Sequence, residues 1–275
     1  MEFDSSSREG VMAIRKGYSD CAGGQVHYRM SAASGTPVVF FHQTASSGQM
    51  WLKTMERLSG RWPMYAFDTP GFGGSFDPEH DAEPPMAQYV DWLHEAVRNA
   101  GIERAHIVGH HTGACIGVEM AARYPAIAQS LTLIGPVPLT AEERLEFSRH
   151  FGIPFTPVVS GAYLLENWEY LRNLGAHADP LLIHREMADQ LRAWWGRVQS
   201  YKAVWGQDFP AFYKAVTCPM MICAATDDVL YAYLDRAADM RPDAKRIALA
   251  GANFEPDLDA DNFARELAAF LDANG

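Results

Sequence analysis

The chain has 275 residues, 48% of them hydrophobic and 21% charged, with a formal net charge of −11. These values are ordinary for a globular protein large enough to bury a substantial core. No run of lysine or arginine stands out, which argues against a nucleic-acid or anionic-membrane surface.

The amino terminus, residues 1–10, is polar and serine-rich and does not read as a signal peptide. No apolar run reaches membrane-spanning length, and no internal repeat or low-complexity tract is present. Residues 11–18 and 25–31 read as two strands around a Cys21-Ala22-Gly23-Gly24 turn. The partial alternation at Val26-His27-Tyr28-Arg29-Met30 suits a half-exposed antiparallel edge. After the break at Ser34-Gly35-Thr36-Pro37, the unbroken apolar run Val38-Val39-Phe40-Phe41 predicts a strand buried on both faces. A loop, His42-Gln43-Thr44-Ala45-Ser46-Ser47, leads to a helix over 49–59, a strand over 64–67 and the loop Asp68-Thr69-Pro70-Gly71-Phe72-Gly73-Gly74-Ser75. Pro84-Pro85 precedes a helical period over 86–100.

The stretch around which these elements are organised is His106-Ile107-Val108-Gly109-His110-His111-Thr112-Gly113-Ala114-Cys115. A short apolar run ends in a glycine, and four residues later a second glycine opens a helical pattern that stops at Tyr124-Pro125. That is strand, sharp turn, helix, with glycines where helix and strand nearly touch. Another apolar strand, 130–134, closes at Gly135-Pro136-Val137-Pro138. Strands alternating with helices predict a mostly parallel sheet covered on both faces.

From 139 to about 215 the pattern changes to helical periodicity rich in aromatics, with no clear strand. Among them are Phe147, Phe151, Phe155, Tyr163, Trp168, Tyr170, Trp194, Trp195, Tyr201, Trp205, Phe209 and Phe212. Such a segment suits the roof of a pocket, although each aromatic taken singly is expected to serve packing. Alternation resumes with a strand at 220–225, Thr226-Asp227-Asp228 at its end, a helix over 231–240, a strand over 245–250, the loop Gly251-Ala252-Asn253-Phe254 and a closing helix over 261–271. Cys21, Cys115, Cys218 and Cys223 form no CxxC pair and no disulfide-like framework, which suits a reducing, cytoplasmic setting.

Five motifs in register resemble the α/β-hydrolase superfamily. They are Phe41-His42-Gln43 at the first loop, Asp68 to Ser75, Gly109 to Gly113 as the nucleophile elbow G-x-S-x-G, Asp227 after the strand that follows the inserted helices, and Gly251 to Phe254 as the closing G-x-H-F loop. The resemblance implies an α/β-hydrolase core over 1–138 and 215–275 with a helical cap over 139–214.

The chain departs from that family at two positions. His111 stands where the elbow serine is expected and Asn253 where the catalytic histidine is expected. The serine acyl-enzyme route is therefore closed. An imidazole at the elbow serves as a general base or as a nucleophile, the base being preferred. Asn253 is expected to accept from the His111 ring, with Asp227 orienting it. Asp228 is the rival acid, set aside because of its offset from the strand. The family's oxyanion hole carries over to the N–H groups of Thr112 and Thr44, with Gln43 adjacent.

His42 and Asp68 are expected to be scaffold residues and His110 structural. Adjacent histidines without HxH or HExxH spacing do not support a metal site, and neither metal nor other cofactor is expected. The expected partner is a small molecule, a largely apolar carbonyl compound whose ester, lactone or C–C bond is hydrolysed. Cofactor-free lyase, decarboxylase, isomerase or cyclase chemistry in the same pocket is the alternative, followed by a catalytically silent ligand-binding protein.

Overall fold

The computed structural model describes residues 13–275. The amino-terminal reading over 1–10, and the first two residues of the first predicted strand, lie outside them. Eight strands form one sheet: β1 (Arg15–Cys21), β2 (Gly24–Ser31), β3 (Val38–Phe41), β4 (Met64–Phe67), β5 (Ala105–His110), β6 (Ala128–Ile134), β7 (Met220–Ala225) and β8 (Lys245–Leu249). Their spatial order is β1-β2-β4-β3-β5-β6-β7-β8. β1 and β2 pair antiparallel, as do β2 and β4, and the remaining neighbours pair in parallel. β1 runs on through Cys21 to pair with Gly24, so the first turn is Ala22-Gly23 and tighter than predicted.

Helices cover both faces. On one side lie α1 (Leu52–Arg57) and, closing the chain, α11 (Ala260–Ala273); on the other lie α2 (Met86–Asn99) and α3 (Thr112–Arg123). The two-residue period of the strands sorts the apolar residues between these faces. Val39, Ile107, Leu133 and Ile222 pack with Val90, Leu93 and Ile116. Val38, Phe40, Val108, Met221 and Cys223 pack with Trp51, Phe263 and Leu267. Burial on both faces is the reason that these strands read as continuous apolar runs.

Between β6 and β7 the chain inserts α4 (Ala141–Ser148), α5 (Ala162–Asn173), α6 (Pro180–Arg192), α7 (Gly196–Gly206) and α8 (Phe209–Ala215). Local chemistry sets where several of these begin. Thr140 and Glu143 form a reciprocal capping box on α4, and Asp179 caps α6 ahead of Pro180. After β7 come α9 (Leu234–Met240) and the single turn α10 (Glu255–Leu258). Strand order reverses at β3, so the carboxyl ends of β3 and β5 flank the crevice where an open α/β sheet places its ligand.

Candidate active site

The turn from β5 into α3 forces His111 to φ 49° and ψ −105°, a conformation costly for a residue with a Cβ. The tightness comes from its neighbours. A Cβ at Gly109 would stand 2.1 Å from the Gly113 carbonyl oxygen, and one at Gly113 would stand 2.1 Å from that of Phe41. The turn lifts the His111 side chain into a cavity lined also by Gln43, Thr44, Thr112 and Asn253.

Inside it, His111 Nε2 lies 2.7 Å from Asp228 Oδ2, and the Asp228 side chain is fully buried. The other Asp228 oxygen accepts from the Leu230 N–H. Burial pushes the Asp228 carboxyl up, but the charge and hydrogen bond of His111 outweigh it and hold the carboxyl below its usual range. An ionised Asp228 accepts a hydrogen bond from Nε2–H, so the neutral form of the ring carries its lone pair on Nδ1.

The sequence expectation named Asp227, and here the structure corrects it. Asp228 turns inward at 5% exposure, whereas Asp227 is exposed and accepts from the Ala252 N–H. The two residues share one turn after β7, and consecutive side chains there face opposite ways. The Asn253 amide is also engaged elsewhere. Its Nδ2 donates to the Leu174 carbonyl at 3.0 Å and its Oδ1 accepts from the Val229 N–H. The expected bond from the His111 ring to Asn253 is therefore replaced by the bond to Asp228, while Asn253, still on the cavity wall, ties the closing loop to the end of α5.

Two further groups shape this end of the sheet. Gly135 (φ +59°) leaves room for the imidazole, since a Cβ there would stand 2.2 Å from His111 Cδ2. Glu255, fully buried, hydrogen-bonds Asp228; burial first, then repulsion from Asp228, push its carboxyl well above the usual range. Glu255 thus holds a proton while Asp228 holds the charge. No motif in the sequence singled out Glu255 or Gly135.

His110 is fully buried, and burial followed by the nearby His111 and His42 keeps it neutral. Its Nε2 stands 3.1 Å from Glu255 Oε2 but off the direction of a hydrogen bond. His110, His111 and Asp228 offer donor atoms within 4.8 Å of one another, close enough to gather a cation. A cation there would displace the Nε2 proton and compete with the 2.7 Å hydrogen bond.

Thr112 opens α3, so its N–H has no intrahelical acceptor. The Thr112 hydroxyl meets the Thr44 hydroxyl at 2.8 Å, and Thr44 meets Ser200 of α7 at 3.0 Å. Gln43 donates to the Asn253 carbonyl and lines the cavity with Thr44 and Thr112. His42 supports this loop from below: one ring nitrogen bonds the Gln43 carbonyl at 2.7 Å and the other accepts from the Thr69 N–H at 2.9 Å. Asp68 accepts from the Gly48 and Gly74 N–H groups, which pins the neighbouring loops as a scaffold residue does.

The same loop is gripped from the inserted helices. Ser46 donates to Glu186 at 2.9 Å and Ser47 to Asp189 at 2.8 Å, both carboxylates lying on α6. Of the aromatics in the insertion, Phe147, Phe151, Tyr170, Tyr201 and Trp205 line the cavity, whereas Phe209 packs into the core.

Comparison with known proteins agrees with this architecture. Residues 36–177, just over half of the chain, match the family model described as the alpha/beta hydrolase fold. Over 209 residues, 72% of this chain and 73% of the relative, the sequence is 29% identical to a protein named as a carbamate hydrolase, RutD, of Escherichia coli. It is 28% identical over 134 residues to the dihydrolipoyllysine-residue acetyltransferase component of the acetoin cleaving system of Cupriavidus necator; that match covers 49% of this chain and 35% of the relative's length. The crystal structure of E-2-(acetamidomethylene)succinate hydrolase superposes with a TM-score of 0.77 at 22% identity, covering 94% of this chain and 100% of that one. With the elbow, the parallel sheet and the inserted helices all in place, the chain belongs to the α/β-hydrolase fold family.

Proposed function

We propose that the protein is a hydrolase of small, largely apolar carbonyl compounds in which His111 replaces the elbow serine as a general base. In this reading Asn253 occupies the place of the family's catalytic histidine, and residues 139–214 act as the cap over a core of 1–138 and 215–275. The observation that carries the proposal is the 2.7 Å bond from His111 Nε2 to the buried Asp228, on a ring that lines the cavity.

Asp228 fixes the tautomer, so Nδ1 takes a proton from water as that water attacks the substrate carbonyl. The imidazolium so formed is stabilised by Asp228 and then protonates the leaving group. The N–H groups of Thr112 and Thr44 receive the developing oxyanion. The elbow glycines and the buried dyad favour this reading over a silent binding protein, since an ionised carboxylate is expensive to bury without use. Hydrolases among the relatives favour the hydrolytic over the non-hydrolytic alternative. All four cysteines are free, which supports a cytoplasmic setting, and among the described residues no helix is long and apolar enough to cross a membrane.

Conversion of esters, lactones and β-diketones in water enriched in oxygen-18, followed by mass spectrometry, tests the reading; product without the label points to lyase or isomerase chemistry instead. On any substrate so found, Asp228→Asn is expected to lower kcat by about 100- to 10,000-fold, because an amide no longer enforces the Nε2–H tautomer. Asp227→Asn is expected to stay within about threefold of wild type, since the residue is exposed and its amide keeps the acceptor for the Ala252 N–H. Equal losses from the two variants would remove Asp228 from its role.

Gly135→Ala supplies a geometric check. The added methyl would overlap the imidazole and drive it off Asp228, with an expected loss of about 100-fold in kcat/KM. Full activity in that variant would mean that the ring position seen here is not the working one.

A further inference from the structure

Arg197, in the first turn of α7, is 2% exposed. Two other arginines have carboxylates: half-buried Arg185 pairs with Asp257 and Glu186, and buried Arg29 lies 3.9 Å from Asp68. Among the described residues Arg197 has no carboxylate at ion-pair distance. One of its terminal nitrogens donates to the Ile153 carbonyl, and its Nε has no hydrogen-bond partner. The guanidinium instead lies among three aromatic rings, with Cζ 4.7 Å from the Phe155 centroid, 5.0 Å from Tyr170 and 5.3 Å from Tyr201. Ring faces offset part of the charge, but a buried cation without a counterion is costly to maintain. Its place in the first turn adds the positive end of the helix dipole to its own charge.

Tyr170 and Tyr201 belong at once to this cage and to the wall of the cavity that holds His111. A single layer of rings therefore separates the uncompensated charge from the substrate's space. We infer that this wall is an anion subsite and that the ligand of the cavity carries a carboxylate, seated against Tyr170 and Tyr201 over Arg197. The Tyr201 hydroxyl, which donates to the Thr44 carbonyl at 3.5 Å, and the Tyr170 hydroxyl, hydrogen-bonded to it, turn from these contacts to donate to the carboxylate, and the guanidinium supplies the counter-charge. A single carboxylate fits better than a phosphate, because the walls are largely apolar and the protein's own net charge of −11 opposes a multiply charged ligand. The inference deepens the hydrolase reading by giving the substrate's charge, and it rests on that reading only for calling the ligand a substrate.

The test reads binding without turnover, so a failure of the catalytic proposal leaves it intact. Phenylacetate and phenylacetamide, alike in shape and different in charge, are titrated calorimetrically at pH 7 into wild type, Arg197→Met and Tyr201→Phe. Wild type is expected to bind the carboxylate at least about tenfold more tightly than the amide, as one charge-assisted contact supplies. Arg197→Met is expected to fold, since it replaces an unpaired charge with an apolar chain of similar length, and to lose the preference while keeping its affinity for the amide. Tyr201→Phe keeps the ring and loses part of the preference, which covers the case in which Arg197→Met does not fold. Equal binding of the two ligands by wild type, no binding of phenylacetate, or a preference that survives both variants would overturn the subsite. Hydrolysis of neutral esters alone would then leave the catalytic proposal standing without it.

Discussion

His111→Ala is expected to reduce turnover by about 100- to 10,000-fold, the range that a positioned general base contributes. The folded state responds as well, and the two effects are separable. Removing the imidazole leaves the buried Asp228 carboxylate without the ring N–H that it accepts, and a buried acceptor left unsatisfied costs about 1–3 kcal/mol. The double variant His111→Ala with Asp228→Asn removes the stranded charge. Thermal denaturation should therefore show it recovering most of the lost stability, while its activity stays as low as that of the single variant. Recovery of both would mean that the single variant failed through misfolding and that His111 carries no chemistry. Turnover by His111→Ala at the wild-type rate would place the base elsewhere.

The nature of His111 as base or nucleophile is open to the same variants. A nucleophilic imidazole would form an acyl intermediate that rapid quenching and mass spectrometry of the intact protein would find as an added mass on His111. A base leaves none. His111 and Thr112 both line the cavity.

What the sequence made legible here was largely backbone. The elbow announced itself because two glycines at a fixed spacing are required where β5, α3 and the end of β3 meet, and no other residue fits there. The central strands were equally readable because both of their faces are buried. Asp228 rather than Asp227 meets His111 because a turn offset alone cannot say which of two adjacent aspartates points inward; Asp228 turns to the ring while Asp227 turns to the Ala252 N–H. Asn253 was placed in the correct loop with the wrong partner, since its amide is drawn to Leu174, a residue 79 positions away in the chain. Glu255, Arg197 and the carboxylates of α6 were not legible at all. Their partners are far apart in sequence, and each reads locally as an ordinary polar position in a helix.

Those α6 carboxylates carry the second large expected effect. Glu186 and Asp189 are buried beside Arg185 and accept from Ser46 and Ser47 of the loop that bears Thr44. Burial pushes Glu186 up to about 7 against the pull of Arg185, with Asp189 adding to the rise; burial likewise pushes Asp189 up to about 6. A carboxyl whose folded value lies above its unfolded one binds its proton more tightly when folded. Its contribution is fully present below the unfolded value near 4.5 and is lost as pH rises through 7. For Glu186 the shift corresponds to about 3 kcal/mol. Glu186→Gln keeps the acceptor for Ser46 and removes the titration. Denaturant unfolding is therefore expected to show the variant and wild type equally stable near pH 4.5, with the variant gaining about 3 kcal/mol by pH 8. A difference that does not vary with pH would mean that Glu186 is already ionised in the folded protein and that its pairing with Arg185 outweighs its burial. The sign of that slope decides whether α6 holds the Thr44 loop through a neutral hydrogen bond or through an ion pair, and so whether the Thr44 side of the cavity tightens or loosens as the medium becomes alkaline.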